Sequence, residues 1–217
     1  MRAALLLSLG VFFAARPALA CTVALLLMMD VSQSVDAGEY RLQTEGLARA
    51  LEDGEIRDTM QRGEIALAVM QWSGTGAQSL SIPWRQMRSA ADLDTMVADV
   101  RAMPRAFLMS NTAVGDAIFA GLSYLETAPS CARRVIDISG DGPDNAGSAP
   151  LTARHRAERN GVTINGLAVE SLGLSITNYY RSLVITRGGF VETARGYRDY
   201  ARAIRAKIAR ETAQIMF

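Results

Sequence analysis

Residues 21–34 read CTVALLLMMDVSQS, an apolar run from Thr22 to Met29 that ends without a break in Asp30 and continues as Val31-Ser32-Gln33-Ser34. A run with no polar alternation leaves no face for water, so it predicts a parallel strand buried on both faces in the middle of a sheet. A carboxylate that follows eight largely apolar residues needs a compensating partner. Asp30 is therefore the first candidate for chemistry. Alternation after the strand end predicts the Ser32 and Ser34 hydroxyls together at the sheet rim, with Val31 turned away. The plainer reading of Ser32 and Ser34 is that they satisfy turn amides or cap the next helix.

Working downstream, apolar runs alternate with helical patterns. Ile65–Trp72, Arg134–Ser139, Val162–Val169 and Phe190–Ala194 read as strands. Gln78–Trp84 alternates and contains Pro83, which suits a short edge strand. Asp36-Ala37-Gly38-Glu39 has the form of a capping box opening a helix through about Glu52. Ser89 with Asp92 opens another helix, carrying Leu93, Met96, Val97 and Val100 at helical spacing. Further helices are expected over Ala113–Leu125, from Ser148 to a stop at Gly161, and over Tyr197–Arg210. Strand–helix alternation over most of the chain predicts an α/β fold. Its sheet is doubly wound and mostly parallel, with helices on both faces and one antiparallel edge strand. With no internal repeat or long linker, residues 21–217 form one domain.

Upstream, residues 1–20 read as a signal peptide. Arg2 gives a positive start, Ala3–Ala15 is nearly all apolar, and Ala18-Leu19-Ala20 has the small-x-small form of a cleavage site. The competing reading fuses Ala3–Met29 into an uncleaved membrane anchor, which would put Arg16 and Pro17 mid-span. Cleavage after Ala20 leaves Cys21 first and predicts an exported, periplasmic or secreted protein with no stable membrane span. Cys21 and Cys131 are the chain's two cysteines. An even pair in an exported protein suggests a disulfide; lipidation of Cys21 is the alternative, against which Ala18 stands where lipoprotein signals place Leu.

Composition removes several function classes. The 217 residues carry 23 Lys+Arg against 22 Asp+Glu, a formal charge of +1, so no global field points to nucleic acid. His155 is the single histidine, among Arg154, Arg156, Glu158 and Arg159 on a helix expected at the surface. Zinc ligation and Ser-His or Cys-His catalysis lack parts. Arg198, Arg202, Arg205, Lys207 and Arg210 on the last helix read as a solvated face, while Tyr197, Tyr200, Ala201, Ile204 and Ile208 recur at core spacing. Trp72 and Trp84 read as packing residues.

In a doubly wound sheet the site lies beyond the carboxyl ends of the strands, where strand order reverses. Three polar segments should meet there: Asp30–Ser34, Asn111-Thr112, and Ser139-Gly140-Asp141-Gly142. Thr112 read alone is equally well a helix N-cap, and Asp141 between two glycines a turn residue. Together the three segments resemble the metal-ion-dependent adhesion site of von Willebrand factor A domains, with Asp30, Ser32, Ser34, Thr112 and Asp141 at the matching positions. Asp30–Asp36, Trp72-Ser73-Gly74, Thr112–Ile118 and Arg133–Asn145 resemble more narrowly a little-characterised bacterial family of exported A-domain proteins, DUF1194.

The resemblance implies hydroxyl and carboxylate oxygens around a divalent cation, Mg²⁺ first and Mn²⁺ or Ca²⁺ next, as hard donors require. In the family Ser and Thr bind the metal directly and the Asp residues act largely through water. The cation keeps an open position for a Glu or Asp of a partner protein. It implies a binding module, not an enzyme. Gly140 departs from the pattern, since many relatives have Thr there and its hydroxyl is missing here. Asp36 reads as a cap, and Asp116 and Asp144 as rim residues at most. The A-domain sheet also places the first strand beside the strand ending in Asp141, so Cys21 and Cys131 start neighbouring strands and can pair, opposite the metal.

Two other functions compete. A haloacid dehalogenase-like Mg²⁺-dependent phosphohydrolase also has an Asp ending its first strand, and Gly140–Asn145 is superficially like its late acidic loop. It needs an acid two residues on, where Ser32 stands, and a lysine, of which Lys207 in the terminal helix is the single example. A metal-free A-domain scaffold is the third.

Overall fold

The computed structural model describes residues 21–213. The leader expected over residues 1–20, whether cleaved or kept as an anchor, lies outside them. No helix among the described residues is long and apolar enough to cross a membrane.

The Thr22–Met29 run forms the heart of β1 (Cys21–Asp30), which lies between parallel neighbours β2 (Ala66–Trp72) and β4 (Cys131–Gly140). β5 (Val162–Val169) and β6 (Val191–Ala194) extend the sheet in parallel, and β3 (Gln78–Gln86) closes the other edge antiparallel to β2. The order is β3-β2-β1-β4-β5-β6. Pro83 falls in β3 where the register with β2 skips between the Val69–Ile82 and Leu67–Arg85 pairs. There its missing N–H costs least.

Residue parity explains why β1 is apolar throughout. Val23, Leu25, Leu27 and Met29 pack with Leu47 and Leu51 of α1 (Ala37–Glu52), Met96 and Val97 of α3 (Ala90–Ala102), and Ile204 and Ile208 of α7 (Tyr200–Ala213). Ala24, Leu26 and Met28 pack on the other face with Val114 and Ile118 of α4 (Val114–Leu125) and Ala153 and Ala157 of α5 (Pro150–Arg159). Both expected capping boxes form. Asp36 accepts from Glu39 N and Glu39 from Asp36 N, each at 2.8 Å; Ser89 and Asp92 repeat the pattern on α3.

Cys21 and Cys131 are register partners and form a disulfide, with Cα atoms 4.5 Å apart. Its sulfur engaged, Cys21 offers no thiol for a lipid. The bond closes a separation of 110 residues, a loop length worth at most about 4–5 kcal/mol on the chain-entropy model.

Four features differ from expectation. α2 (Gly54–Arg62) follows α1 after a break at Asp53, whose side chain accepts from Glu55 N and Ile56 N. Ile56 and Met60 are its buried residues, too few to show a periodicity. A short helix α6 (Ser175–Tyr179) and a π-helical turn (Tyr180–Val184) occupy a stretch read as loop. α5 starts at Pro150 instead of Ser148, because Ser148 N donates to Asp116 at 2.9 Å and Pro150 takes a first helical position that needs no N–H.

The fourth difference concerns Lys207. Arg198, Arg202, Arg205 and Arg210 are exposed as expected, but Lys207 is fully buried. It lies one turn on from Ile204, on the core stripe of α7. Its Nζ is 2.6 Å from Asp137 Oδ1 in β4 and 2.8 Å from Glu211 Oε1, and Asn165 of β5 donates to the same Glu211 oxygen at 2.8 Å. Burial and the Glu211 charge push the Asp137 carboxyl up to about 8, against the pull of Lys207. Lys207→Met would leave two buried carboxyls without a cation. Urea denaturation at pH 8 should show a loss of about 3–5 kcal/mol. A carboxyl held above its unfolded pKa, as Asp137 is, regains stability as pH falls, so the deficit should shrink towards pH 5.

Candidate metal centre

Strand order reverses at β1, where the chain passes first to β2 on one side and later to β4 on the other. The crevice beyond their carboxyl ends is where Asp30 and Asp141 emerge. Asp30, the last residue of β1, is buried, and its Oδ1 accepts from Ser32 N at 2.7 Å, which closes the turn. The Ser32 and Ser34 hydroxyls lie 3.1 Å apart, and Ser34 Oγ donates to Asp141 Oδ1 at 2.6 Å. Asp30 and Ser32 are buried while Ser34 is exposed, so the cluster opens from the sheet towards solvent.

Thr112 joins through its backbone. Its N–H donates to Asn145 Oδ1 and its carbonyl accepts from Asn145 N, both at 2.9 Å. Gln33 N donates to Ser110 O at 2.9 Å. Each of the three predicted loops is therefore hydrogen-bonded to the other two. Thr112 does not cap α4; Ala113 is the N-cap residue, and Val114 N donates instead to Asp144 Oδ1 at 2.8 Å. Asp144 and Asp116 thus fasten loops to helices and stand outside the oxygen cluster.

Sequence reading missed two supports of the site. Arg105 Nη2 donates to the carbonyls of Val31 and Ser32, at 3.0 and 2.9 Å, which pins the first loop. Tyr197, assigned to the core by its spacing, donates its hydroxyl to Asp141 Oδ2 at 2.9 Å. Its core packing hid that role, and the positive φ of +82° at Gly196 was the one local sign of a sharp entry into the helix. Burial and the nearby Asp141 charge push the Tyr197 phenol far up, keeping it a donor.

Electrostatics separate the two acids. Burial, then the Asp141 charge, raise Asp30 from the ordinary carboxylate range to about 7, while hydrogen bonds from Ser32 act the other way. Asp30 Oδ2 is buried with no hydrogen-bond partner among the described residues. A cation would relieve both features, and the hydroxyl and carboxylate oxygens suit a hard divalent ion. Among the described residues no three His, Cys, Asp or Glu side chains gather as a metal cluster, so any ligation here rests largely on hydroxyls. A cleft of about 450 Å³ adjoins the rim, lined by Ser34, Glu39, Asp141, Glu170, Arg195 and Tyr197 among others. A larger groove, about 840 Å³ and lined by Arg154, His155 and Arg181, contains none of the candidate residues.

The family described as "Protein of unknown function (DUF1194)" matches residues 20–216. The chain belongs to that family. No curated protein matches this DUF1194 chain in sequence. Its fold is that of von Willebrand factor A domains. The proximal thread matrix protein 1 of the mussel byssus superposes with a TM-score of 0.67 at 16% identity, over 87% of this chain and 47% of the mussel chain. A von Willebrand factor type A protein from Catenulispora acidiphila gives 0.63 at 16% identity, over 89% and 43%. The vWF domain of the type V pili tip protein Mfa5 from Porphyromonas gingivalis gives 0.65 at 10% identity, over 92% and 98%. The DUF1194 chain spans about half the length of the mussel protein.

Asp30 carries a stability signature that needs no ligand. Its folded pKa of about 7 exceeds its unfolded value, so the folded state holds the proton more tightly and loses stability as pH rises from about 4 to 7. The loss amounts to about 4 kcal/mol at most. Urea melts in EDTA should therefore find Asp30→Asn more stable than wild type at pH 8, with the difference closing near pH 4. A variant less stable than wild type at pH 8 would contradict the burial described.

Proposed function

We propose that this protein is an exported von Willebrand factor A-type binding module, not an enzyme, that holds a divalent cation at an adhesion-type site and engages an acidic group of a partner protein. The observation that carries the reading is the hydrogen bonding among the loops, which gathers Asp30, Ser32, Ser34 and Asp141 at one rim and ties the Thr112 backbone to Asn145, in the loop that continues from Asp141. Ser32, Ser34 and Thr112 would supply neutral oxygens, and Asp30 and Asp141 the negative charge. When bound, the cation supplies a positive charge only partly quenched by these donors, and so attracts a carboxylate from outside. Mg²⁺ is the first choice, with Mn²⁺ and Ca²⁺ compatible with the same oxygens. A form of the mussel thread matrix protein has a zinc-occupied MIDAS motif, which supports divalent binding in this fold.

The surroundings suit a protein partner. Leu108 and Met109, 71% and 77% exposed, lie in the loop that Gln33 ties to the site, and Leu172 and Leu174, 87% and 53% exposed, follow the carboxyl end of β5. Large apolar side chains are left in water at a cost unless something covers them. Met109 is also held at φ +55°, a left-handed conformation that is strained for a long side chain and commonest where function requires it. Export, with residues 1–20 as a removed signal peptide, accords with the disulfide, which belongs to an oxidising compartment. The pilus-tip and byssus settings of the structural relatives point the same way.

Calorimetric titration of the EDTA-stripped protein with Mg²⁺ and Mn²⁺ tests the proposal. Cation at 100 times its Kd should stabilise the fold by about 2.7 kcal/mol, a rise in Tm of roughly 5–10 °C for a chain of this size. Ser32→Ala, Thr112→Ala and Asp141→Ala should each abolish heat and shift. A wild type with neither would leave a metal-free scaffold.

A further inference from the structure

Gly140 lies between the strand and Asp141, and the room it leaves is filled from elsewhere in the chain. A Cβ built there would lie 2.5 Å from the Tyr180 hydroxyl, 3.0 Å from Asp30 Oδ2 and 3.3 Å from Trp72 Cζ2. The phenol oxygen and the free carboxylate oxygen thus flank one point on the sheet surface. A second glycine prepares the slot: a Cβ on Gly166 of β5 would lie 2.6 Å from Tyr180 Cδ1. The tyrosine ring crosses β5 at one glycine, and its hydroxyl reaches β4 at the other.

Burial makes this arrangement informative. Tyr180 and Trp72 are 0% exposed and Asp30 1%. Tyr180 Oη, Trp72 Nε1 and Asp30 Oδ2 are all buried atoms without a hydrogen-bond partner among the described residues. The Tyr180 donor and the Asp30 acceptor beside one glycine are complementary, and an unpaired buried polar group costs about 1–3 kcal/mol. Tyr180 also begins the π-helical turn, with Ile185 N donating to its carbonyl at 3.0 Å. Such turns shift the register of a helix and are frequent at functional sites.

We propose that Tyr180 is a positioning residue of the cation site: its hydroxyl, beside Asp30 Oδ2 but not bonded to it in this structure, closes onto that oxygen across the face of Gly140 by a small side-chain shift, supplying from a later helix the hydroxyl that position 140 lacks. Asp30, bonded here at Oδ1 by Ser32 N, is then held at Oδ2 as well. The effect on metal rests on the adhesion-site reading; the contact does not.

A hydroxyl transplant tests the inference. In Tyr180→Phe, Mn²⁺ affinity by titration calorimetry should fall about tenfold, the usual effect of removing a partner of a ligand. The unfolding equilibrium constant of the metal-free protein should rise about tenfold. Gly140→Ser alone should destabilise, because its Cβ meets the Tyr180 hydroxyl. Tyr180→Phe with Gly140→Ser should recover both quantities, since the serine hydroxyl enters the vacated space beside Asp30. If Tyr180→Phe changes neither quantity, or if the serine fails to restore either, Tyr180 merely fills space and the inference falls while Mn²⁺ binding by wild type stands. If wild type binds no Mn²⁺ yet the serine restores metal-free stability, the Tyr180–Asp30 contact holds and the cation reading falls.

Discussion

A carboxyl group buried at the reversal point of the sheet is the constraint around which this molecule is organised. Asp30 ends the most apolar strand, with one oxygen bonded to Ser32 N and Asp141 close enough for its charge to raise the Asp30 pKa. Burying such a group is costly unless its surroundings compensate. The chain compensates with the Ser32 amide on one carboxyl oxygen and with loops tied to one another. On the proposed reading, such a site gives a cation a place to bind and relieves the electrostatic cost of the buried carboxyl.

The rest of the fold holds the strands that carry this site. The Cys21–Cys131 disulfide fixes the register of β1 and β4 at the end opposite Asp30 and Asp141. Lys207 clamps α7 to the middle of β4 through Asp137, and α7 follows directly on the turn that presents Tyr197 to Asp141. A slip of β1 against β4 by one residue would exchange the two core faces and also separate Asp30 from Asp141. Stability and site geometry are thus set by the same contacts.

Much of this was legible in the sequence, for physical reasons that can be named. The unbroken Thr22–Met29 run reads as a central strand once Arg16 and Pro17 weigh against a membrane span over Ala3–Met29. The order of apolar runs then put Asp30 and Asp141 at one rim, and the resemblance to A domains implied that the strands begun by the two cysteines are neighbours. Caps were readable because Asp36–Glu39 and Ser89–Asp92 are local. What stayed hidden depends on distant partners. Lys207 reads as one more surface cation until Asp137 and Glu211 are seen beneath it. Tyr197 reads as core because its ring packs against the core, while its hydroxyl reaches Asp141; Tyr180 lies in a stretch read as loop, and its burial comes from strands distant in sequence. Thr112 read alone could equally cap α4, because the carboxylate that accepts from Val114 N, Asp144, arrives from another loop.

The central claim is that oxygens from the three loops share one cation. Crystals equilibrated with Mn²⁺ and measured at the manganese absorption edge test it most directly. The account predicts a single strong anomalous peak about 2.0–2.6 Å from Ser32 Oγ, Ser34 Oγ and Thr112 Oγ1. A rim without a peak at saturating Mn²⁺, or a peak that excludes Thr112, would contradict it.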